Sequence, residues 1–272
     1  MINFLVSLLL PIMPKRALSA LFGDFARTKF PDPIRLWILK AFVFLYGINM
    51  QEAEKPIEKY RTLDRLFTRR LRPGARPITS DWIHPVDGEL TANGIIQANQ
   101  AFQIKGWNYP LHKLLGEQRY DFDQGVFLTY YLAPVDYHRV HAPVSGEIVS
   151  VRHMQGQLWP VNDRSVQSIK ELFCQNERVI INMRTDRGPV SVVMVGATNV
   201  GQIEVKASPD LRTNLPSGET PFFESFSPPL HVSVGDELGV FHMGSTVVVL
   251  FAPEYAEGFN EMPRMKVKLG EY

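Results

Sequence analysis

The chain is poor in cysteine. Cys174 is the only one in 272 residues, which excludes an intrachain disulfide and a thiolate zinc site and leaves no need for an oxidising compartment. It also lacks an apolar run of the about 20 residues that a helix needs to cross a bilayer. The best candidate, residues 1–13, stops at Pro14 and is followed by Lys15 and Arg16. A secretory signal would carry its positive charges before that stretch and a small-residue cleavage site after it, and both are missing. There is no low-complexity segment, no repeat at solenoid periods and no helix–strand alternation of the doubly wound kind. The Gly-x-Ser-x-Gly elbow of lipases and the His-Glu-x-x-His zinc helix are absent as well.

What is present reads as globular: 45% hydrophobic and 21% charged, with a net charge of +1. That small net charge hides an asymmetry. Residues 1–80 carry fourteen Lys and Arg against six Asp and Glu, a net +8, so the remainder carries −7. A positive N-terminal segment on an acidic body points to an anionic surface as partner. Residues 17–30 hold Leu18, Leu21, Phe22 and Phe25 at helical spacing. Pro31 and Pro33 break that helix, and 34–48 starts another with Trp37, Phe42, Phe44 and Tyr46. Short aromatic helices flanked by Lys and Arg suit a membrane interface, in which they lie without crossing it. A small helical bundle packed on the body is the competing reading. Nucleic acid is disfavoured as partner, because the basic residues are interleaved with large aliphatics and form no polar patch.

Residues 62–70 read as a short capped helix with Leu63, Leu66 and Phe67 as its buried stripe. Arg72-Pro73-Gly74 ends it. Beyond it the sequence turns β-rich, with strands expected at 125–132, 147–153, 178–183, 190–195 and 246–251. The expected fold is therefore α+β: amphipathic N-terminal helices (1–76) on a mainly antiparallel β barrel or sandwich (77–272) that carries the catalysis.

Three stretches in the β region hold residues of catalytic type. His84-Pro85-Val86-Asp87-Gly88 places a carboxylate at a strand edge, where a simple turn role is the ordinary one. Tyr130 to Pro143 packs His138, His141, Asp136, Arg139 and three tyrosines directly after an apolar strand. Met243-Gly244-Ser245-Thr246 puts a hydroxyl and an unshielded glycine carbonyl at the mouth of the run Val247-Val248-Val249-Leu250-Phe251. His138 and His141 are three apart, but no further ligand set accompanies them, so a metal site is not expected. Asp, His and Ser together supply what a backbone acyl shift requires: a base for the hydroxyl and a carboxylate to orient and stabilise that base. Spacing alone cannot bring them together.

These residues resemble the phosphatidylserine decarboxylases, in particular the short bacterial membrane-associated form. The resemblance covers nearly the whole chain. It rests on Tyr60–Phe67, Pro85-Val86-Asp87-Gly88, the run from Leu132 to His141, Asn176-Glu177-Arg178-Val179, Val195-Gly196-Ala197-Thr198 and Gly244-Ser245-Thr246. One departure is Met243, where the family usually has Leu; the swap conserves volume.

The resemblance implies a proenzyme that cuts itself between Gly244 and Ser245, with Asp87, His141 and Ser245 as the self-cleavage triad. It implies a pyruvoyl group, formed covalently from Ser245, as the only cofactor, with no metal. The ketone of that group would condense with the amine of phosphatidylserine and accept electrons as carbon dioxide leaves, giving phosphatidylethanolamine, and His138 is assigned to this step. Large (1–244) and small (245–272) chains would remain a non-covalent complex, peripheral on the cytoplasmic face of the cell membrane. A homodimer is compatible with the sequence but not required by it.

Two other classes compete with this reading. A Ser-His-Asp lipid hydrolase would keep Ser245 intact. A carrier or adaptor module would explain the turns at Ala142 to Ile148 and Val234 to Glu237, although no lysine occupies a tight hairpin between those strands.

Overall fold

The computed structural model describes residues 15–104, 107–198, 202–214, 222–242 and 245–272. The apolar stretch 1–13 and the Met243-Gly244 pair, with the scissile carbonyl expected of it, lie outside the described residues.

Helix α1 spans Lys15–Arg27 and α2 spans Asp32–Tyr46. Proline lies at the first helical positions of α2, where its missing N–H is no loss. Gly47 ends the helix in the left-handed conformation (φ 67°), its N–H returning to Val43 O. Helix α3, Leu63–Phe67, is capped by Thr62, whose hydroxyl accepts from Arg65 N at 3.2 Å. Ala26 of α1, Leu39 of α2 and Leu63 and Leu66 of α3 close a small core around Tyr60. The opposite faces of α1 and α2 are apolar too, yet exposed. Trp37 is 72% and Phe44 90% accessible, and Leu21, Ile34 and Leu45 are exposed as well. Bundle packing and an unburied apolar face thus coexist on the same helices. No helix among the described residues is long and apolar enough to cross a membrane.

The strands run, in chain order, β1 (Gly88–Ile95), β2 (Gln100–Ile104), β3 (Trp107–Pro110), β4 (Val126–Leu132), β5 (Arg139–His141), β6 (Gly146–Met154), β7 (Arg178–Thr185), β8 (Gly188–Val195), β9 (Ile203–Val205), β10 (Phe223–Val232), β11 (Glu237–Phe241), β12 (Ser245–Phe251) and β13 (Met265–Val267). Eight form one antiparallel sheet in the order β10-β6-β7-β8-β12-β4-β1-β13, and β5-β11-β9 and β2-β3 form smaller ones. The fold is the expected α+β type, mainly antiparallel, and its sheets stay open. All five expected strands are present, as β4, β6, β7, β8 and β12. Those not foreseen are mostly short or polar. β10 carries Ser227-Pro228-Pro229 and lies at the sheet edge, the place where proline costs no ladder bond.

β12 holds the centre. It pairs with β4 along its whole length and with β8 from Thr246 to Phe251, and every one of its residues is buried. β-Branched Val247, Val248 and Val249 suit a strand covered on both faces. Each buried aliphatic or aromatic side chain here contributes about 1.5–3 kcal/mol. Gly88 is required where β1 leaves Asp87: a Cβ there would lie 2.6 Å from Tyr131 O on β4.

Candidate active site

Ser245 is the first residue of β12 and has no accessible surface. Its ladder partner on β4 is Leu132. From Leu132 the chain turns through 133–138 into β5, and Asp136 pins this turn by accepting from Ala133 N at 2.8 Å. On the other side of Ser245, β11 pairs with β5, and Phe241 N donates to His138 O at 3.0 Å. The segment 241–245 is thus tied at both ends to the segment 132–138. This register sets Ser245 opposite Leu132, where the His-bearing turn begins. Oγ of Ser245 and Oγ1 of Thr246 have no hydrogen-bond partner among the described residues. A buried hydroxyl left unpaired costs about 1–3 kcal/mol, so it calls for a functional reason.

His138 is fully buried, with its ring stacked on Phe67 of α3 at 4.0 Å between centroids. Its Nε2 donates to Ala133 O at 3.0 Å. A carbonyl can only accept, so Nε2 carries the proton and the basic lone pair is on Nδ1. Nδ1 has no partner among the described residues. Burial, reinforced by the positive charge of Arg69, pushes the pKa of this imidazole down to about 3. It is neutral at physiological pH, with a bare basic nitrogen.

His141 is held differently. Its backbone N–H donates to Pro85 O at 3.0 Å and its Nδ1 to Gly235 O at 2.7 Å. Nε2 is therefore the basic nitrogen, and the Tyr137 hydroxyl donates to it at 3.3 Å. Burial lowers the pKa of His141, with the Gly235 carbonyl acting in the opposite direction. Gly235 has φ 83°, and a Cβ there would lie 2.8 Å from Ile78 Cγ1, so this acceptor position is reserved for glycine.

Asp87 lies two residues from Pro85, beside His141, but its carboxylate is engaged elsewhere. Arg76 grips it with Nε to Oδ1 at 2.9 Å and Nη2 to Oδ2 at 2.5 Å. Leu269 N also donates to Oδ1 at 2.9 Å. The Asp87 charge is felt at His141, but no hydrogen bond links the two, and none links either to Ser245. Asp87, His141 and Ser245 are therefore not joined in a hydrogen-bonded chain.

Several neighbours were not foreseen. Arg76, bound also to Glu52 at 2.7 Å, carries no sequence signal beyond its place in a charge-rich stretch. Tyr137 was visible inside the dense polar run but had no assigned partner. His242 lies three positions before Ser245, between Asp64 Oδ1 of α3 at 2.6 Å and Glu204 Oε1 of β9 at 3.0 Å. Burial disfavours its charge, but the two carboxylates outweigh burial and raise its pKa to about 9. No sequence spacing relates Asp64, Glu204 and His242. Among the described residues, no group of three or more His, Cys, Asp or Glu is placed to hold a metal ion.

Residues 63–272 match the family described as phosphatidylserine decarboxylase. A phosphatidylserine decarboxylase proenzyme of Anaeromyxobacter sp. (strain K) is 40% identical to this chain over 96% of its residues and 95% of the relative's. The proenzyme of Myxococcus xanthus is 39% identical over 90% of this chain and 89% of its own, and that of Shewanella amazonensis 37% over 96% and 94%.

Proposed function

Because the chain belongs to the phosphatidylserine decarboxylase family, a group of carboxy-lyases, we propose that it converts phosphatidylserine to phosphatidylethanolamine after cutting its own backbone between Gly244 and Ser245. The observation that carries this reading is the buried, unpartnered Ser245 hydroxyl at the start of the central strand, opposite the turn that bears His138. A hydroxyl with no competing hydrogen bond is free to be deprotonated and to attack the carbonyl preceding it. His141 is the base, and the nearby Asp87 charge stabilises the imidazolium that forms, without a hydrogen bond between them. Oγ then replaces the amide nitrogen as an ester. Loss of the Cα proton of residue 245 and cleavage of Cβ–Oγ, with the carboxylate of residue 244 as leaving group, give dehydroalanine at position 245, whose hydrolysis releases ammonia and leaves a pyruvoyl group.

When formed, that ketone supplies an electron sink for decarboxylation. Position 245 fits it: a small, fully buried residue whose hydroxyl has no partner among the described residues, paired in the ladder with Leu132, from which the chain turns to His138. His138 acts in the decarboxylation step, its bare Nδ1 offering a site for proton movement. Once the backbone is cut, the small chain (245–272) is held by the pairing of β12 with β4 and β8 and by its buried side chains. The division at residue 76 follows the same logic. Residues 1–76 form the membrane-associating part, seating the exposed faces of α1 and α2 in the cytoplasmic leaflet, and 77–272 form the catalytic part.

One observation favours exchanging the two histidines. His138 Nδ1 is bare, whereas His141 Nε2 already accepts from Tyr137 and Asp87 is held by Arg76. Substitution decides between the assignments. His141→Ala should leave the chain uncut, while His138→Ala should still cleave and lose turnover; the reverse outcome exchanges the roles. The function itself is tested by an intact mass of the small fragment, which should show an N-terminal pyruvoyl. An uncut chain that still evolves carbon dioxide from phosphatidylserine refutes the mechanism, and Ser245→Ala should reduce both cleavage and decarboxylation to background.

A further inference from the structure

Between the N-terminal helices and the β body lies a cavity of about 630 Å³ that the mechanism above does not use. Its wall carries nine Lys and Arg side chains against two carboxylates, Glu54 and Asp64. Asp64 is already committed to His242. The lining includes Arg27, the last residue of α1, and Lys29 just beyond it. A smaller cleft of about 240 Å³ shares Arg65, Thr68, Arg70 and Arg139 with the cavity and reaches His242. The shared arginines thus run from the helices towards His242, three residues from Ser245, where Glu237 and Glu204 answer Arg139 and His242.

A basic surface alone would be a solvated face. What distinguishes this one is Arg69, whose whole side chain is taken out of water. Arg69 is only 5% exposed, lines the cavity, and has no carboxylate partner among the described residues. Nη2 donates to Val135 O at 2.9 Å and, more weakly, to Asp136 O at 3.4 Å. Nε and Nη1 have no partner among the described residues. Burying a guanidinium without a counter-charge is costly, and burial lowers its pKa accordingly. An anion reaching the unpaired Nε–H or Nη1–H would repay that cost through a charge-assisted hydrogen bond. The carbonyls that hold Nη2 belong to the 133–138 turn, which begins one residue after the ladder partner of Ser245 and ends at His138. In phosphatidylserine the phosphodiester is separated from the reacting amine by two carbons and one oxygen. A subsite for it must therefore lie within a side chain or two of position 245.

We propose that this cavity binds the phosphodiester of an anionic glycerophospholipid headgroup, with Arg69 as its buried anchor, and that the headgroup is the substrate's own. The second half rests on the function proposed above; the first does not. The cavity takes the phosphodiester while the acyl chains remain beside α1 and α2, so the serine end is delivered towards the His138 turn. Lys59 and Arg61, exposed on the wall, add long-range attraction without burial.

The test uses the full-length Ser245→Ala chain, which can neither process itself nor turn over. Binding is then read independently of any pyruvoyl chemistry. It is titrated calorimetrically with soluble dihexanoyl-phosphatidylserine, with dihexanoyl-phosphatidylglycerol and with inorganic phosphate. Dihexanoyl-phosphatidylserine should bind tightest. Arg69→Gln should weaken it about tenfold or more, the expected loss for a charge-assisted hydrogen bond. The pair Lys59→Gln/Arg61→Gln should weaken it by a smaller factor of about three. Unchanged affinity in a folded Arg69→Gln chain overturns the proposal. If circular dichroism shows that variant unfolded, the Lys59/Arg61 pair decides: unchanged affinity there overturns it and the expected loss supports it. Inorganic phosphate binding as tightly as the lipids makes this a free-anion site and overturns the lipid assignment. Phosphatidylglycerol binding in place of phosphatidylserine overturns the substrate assignment. A wild-type small fragment that lacks a pyruvoyl overturns the proposed function while leaving the binding result standing.

Discussion

Helix α2 and strand β12 are about equally apolar and meet opposite fates. β12 buries every side chain between two neighbouring strands, whereas α2 turns Leu39 inward and leaves Trp37, Phe44 and Leu45 in the open. The difference does not lie in the residues. β12 has β4 and β8 to saturate its backbone and two layers to cover its faces. α2 satisfies its own backbone and, among the described residues, has protein on one side only. A strand without neighbours is unstable, while a helix with one naked face is stable and available to something else. The fold therefore uses apolar sequence in the body for cohesion and leaves part of it exposed on the N-terminal helices, the face proposed above to meet lipid.

The sharpest way to break this contrast is to truncate one side chain in each region. Leu250→Ala in β12 should cost about 2–5 kcal/mol, read from urea unfolding. Phe44→Ala should stay within about 0.5 kcal/mol of the parent, yet reduce flotation with phosphatidylglycerol-containing vesicles several-fold. If Phe44→Ala destabilises the chain as much as Leu250→Ala, the exposed face is a structural surface and the contrast fails.

The two regions are joined by His242, which bridges Asp64 of the helical segment and Glu204 of the body. His242→Ala should cost about 3 kcal/mol, because Asp64 is left buried and unpaired. The pH dependence follows from the raised pKa. This contribution is fully present below about pH 6.5, the ordinary histidine value, and is lost as pH rises through about 9. His138 acts at the other end. Its pKa is depressed to about 3, so its contribution holds above about pH 6.5 and is lost as pH falls towards 3. Thermal melts of the parent and of His242→Ala between pH 6 and 10 should converge at the alkaline end. Parallel curves would remove His242 as the joint.

The smallest effect concerns α3, the element both regions share. Thr62→Ala removes the cap on Arg65 N and should cost about 1 kcal/mol. Restoration of stability by Thr62→Ser would confirm that the hydroxyl, not the methyl, is responsible.

Much of this was legible in advance because it is local. The run from Val247 to Phe251 has the composition of a covered strand, and Thr62 stands where a helix needs a cap. The Asp-Tyr-His-Arg-Val-His and Gly-Ser-Thr stretches are dense enough to mark a site. What was illegible depends on long-range partners. Asp87 reads as an ordinary turn residue or, through the resemblance, as a triad member, and its engagement by Arg76 appears only in the folded chain. The short β5, β9 and β11 have little periodicity of their own, and they exist because pairing with one another satisfies their backbones.

By itself the sequence determined the helix and strand periodicities, the positive segment on an acidic body, and the chemical types available at Asp87, His138, His141 and Ser245. Tertiary structure alone decided which nitrogen of each imidazole is basic, that Asp87 is engaged by Arg76, and that Arg69 is buried with part of its fork unpaired. The physical reason is range. Periodicity and capping act within a few residues, whereas tautomer, ion pairing and desolvation are set by groups that the chain brings together only after it has folded.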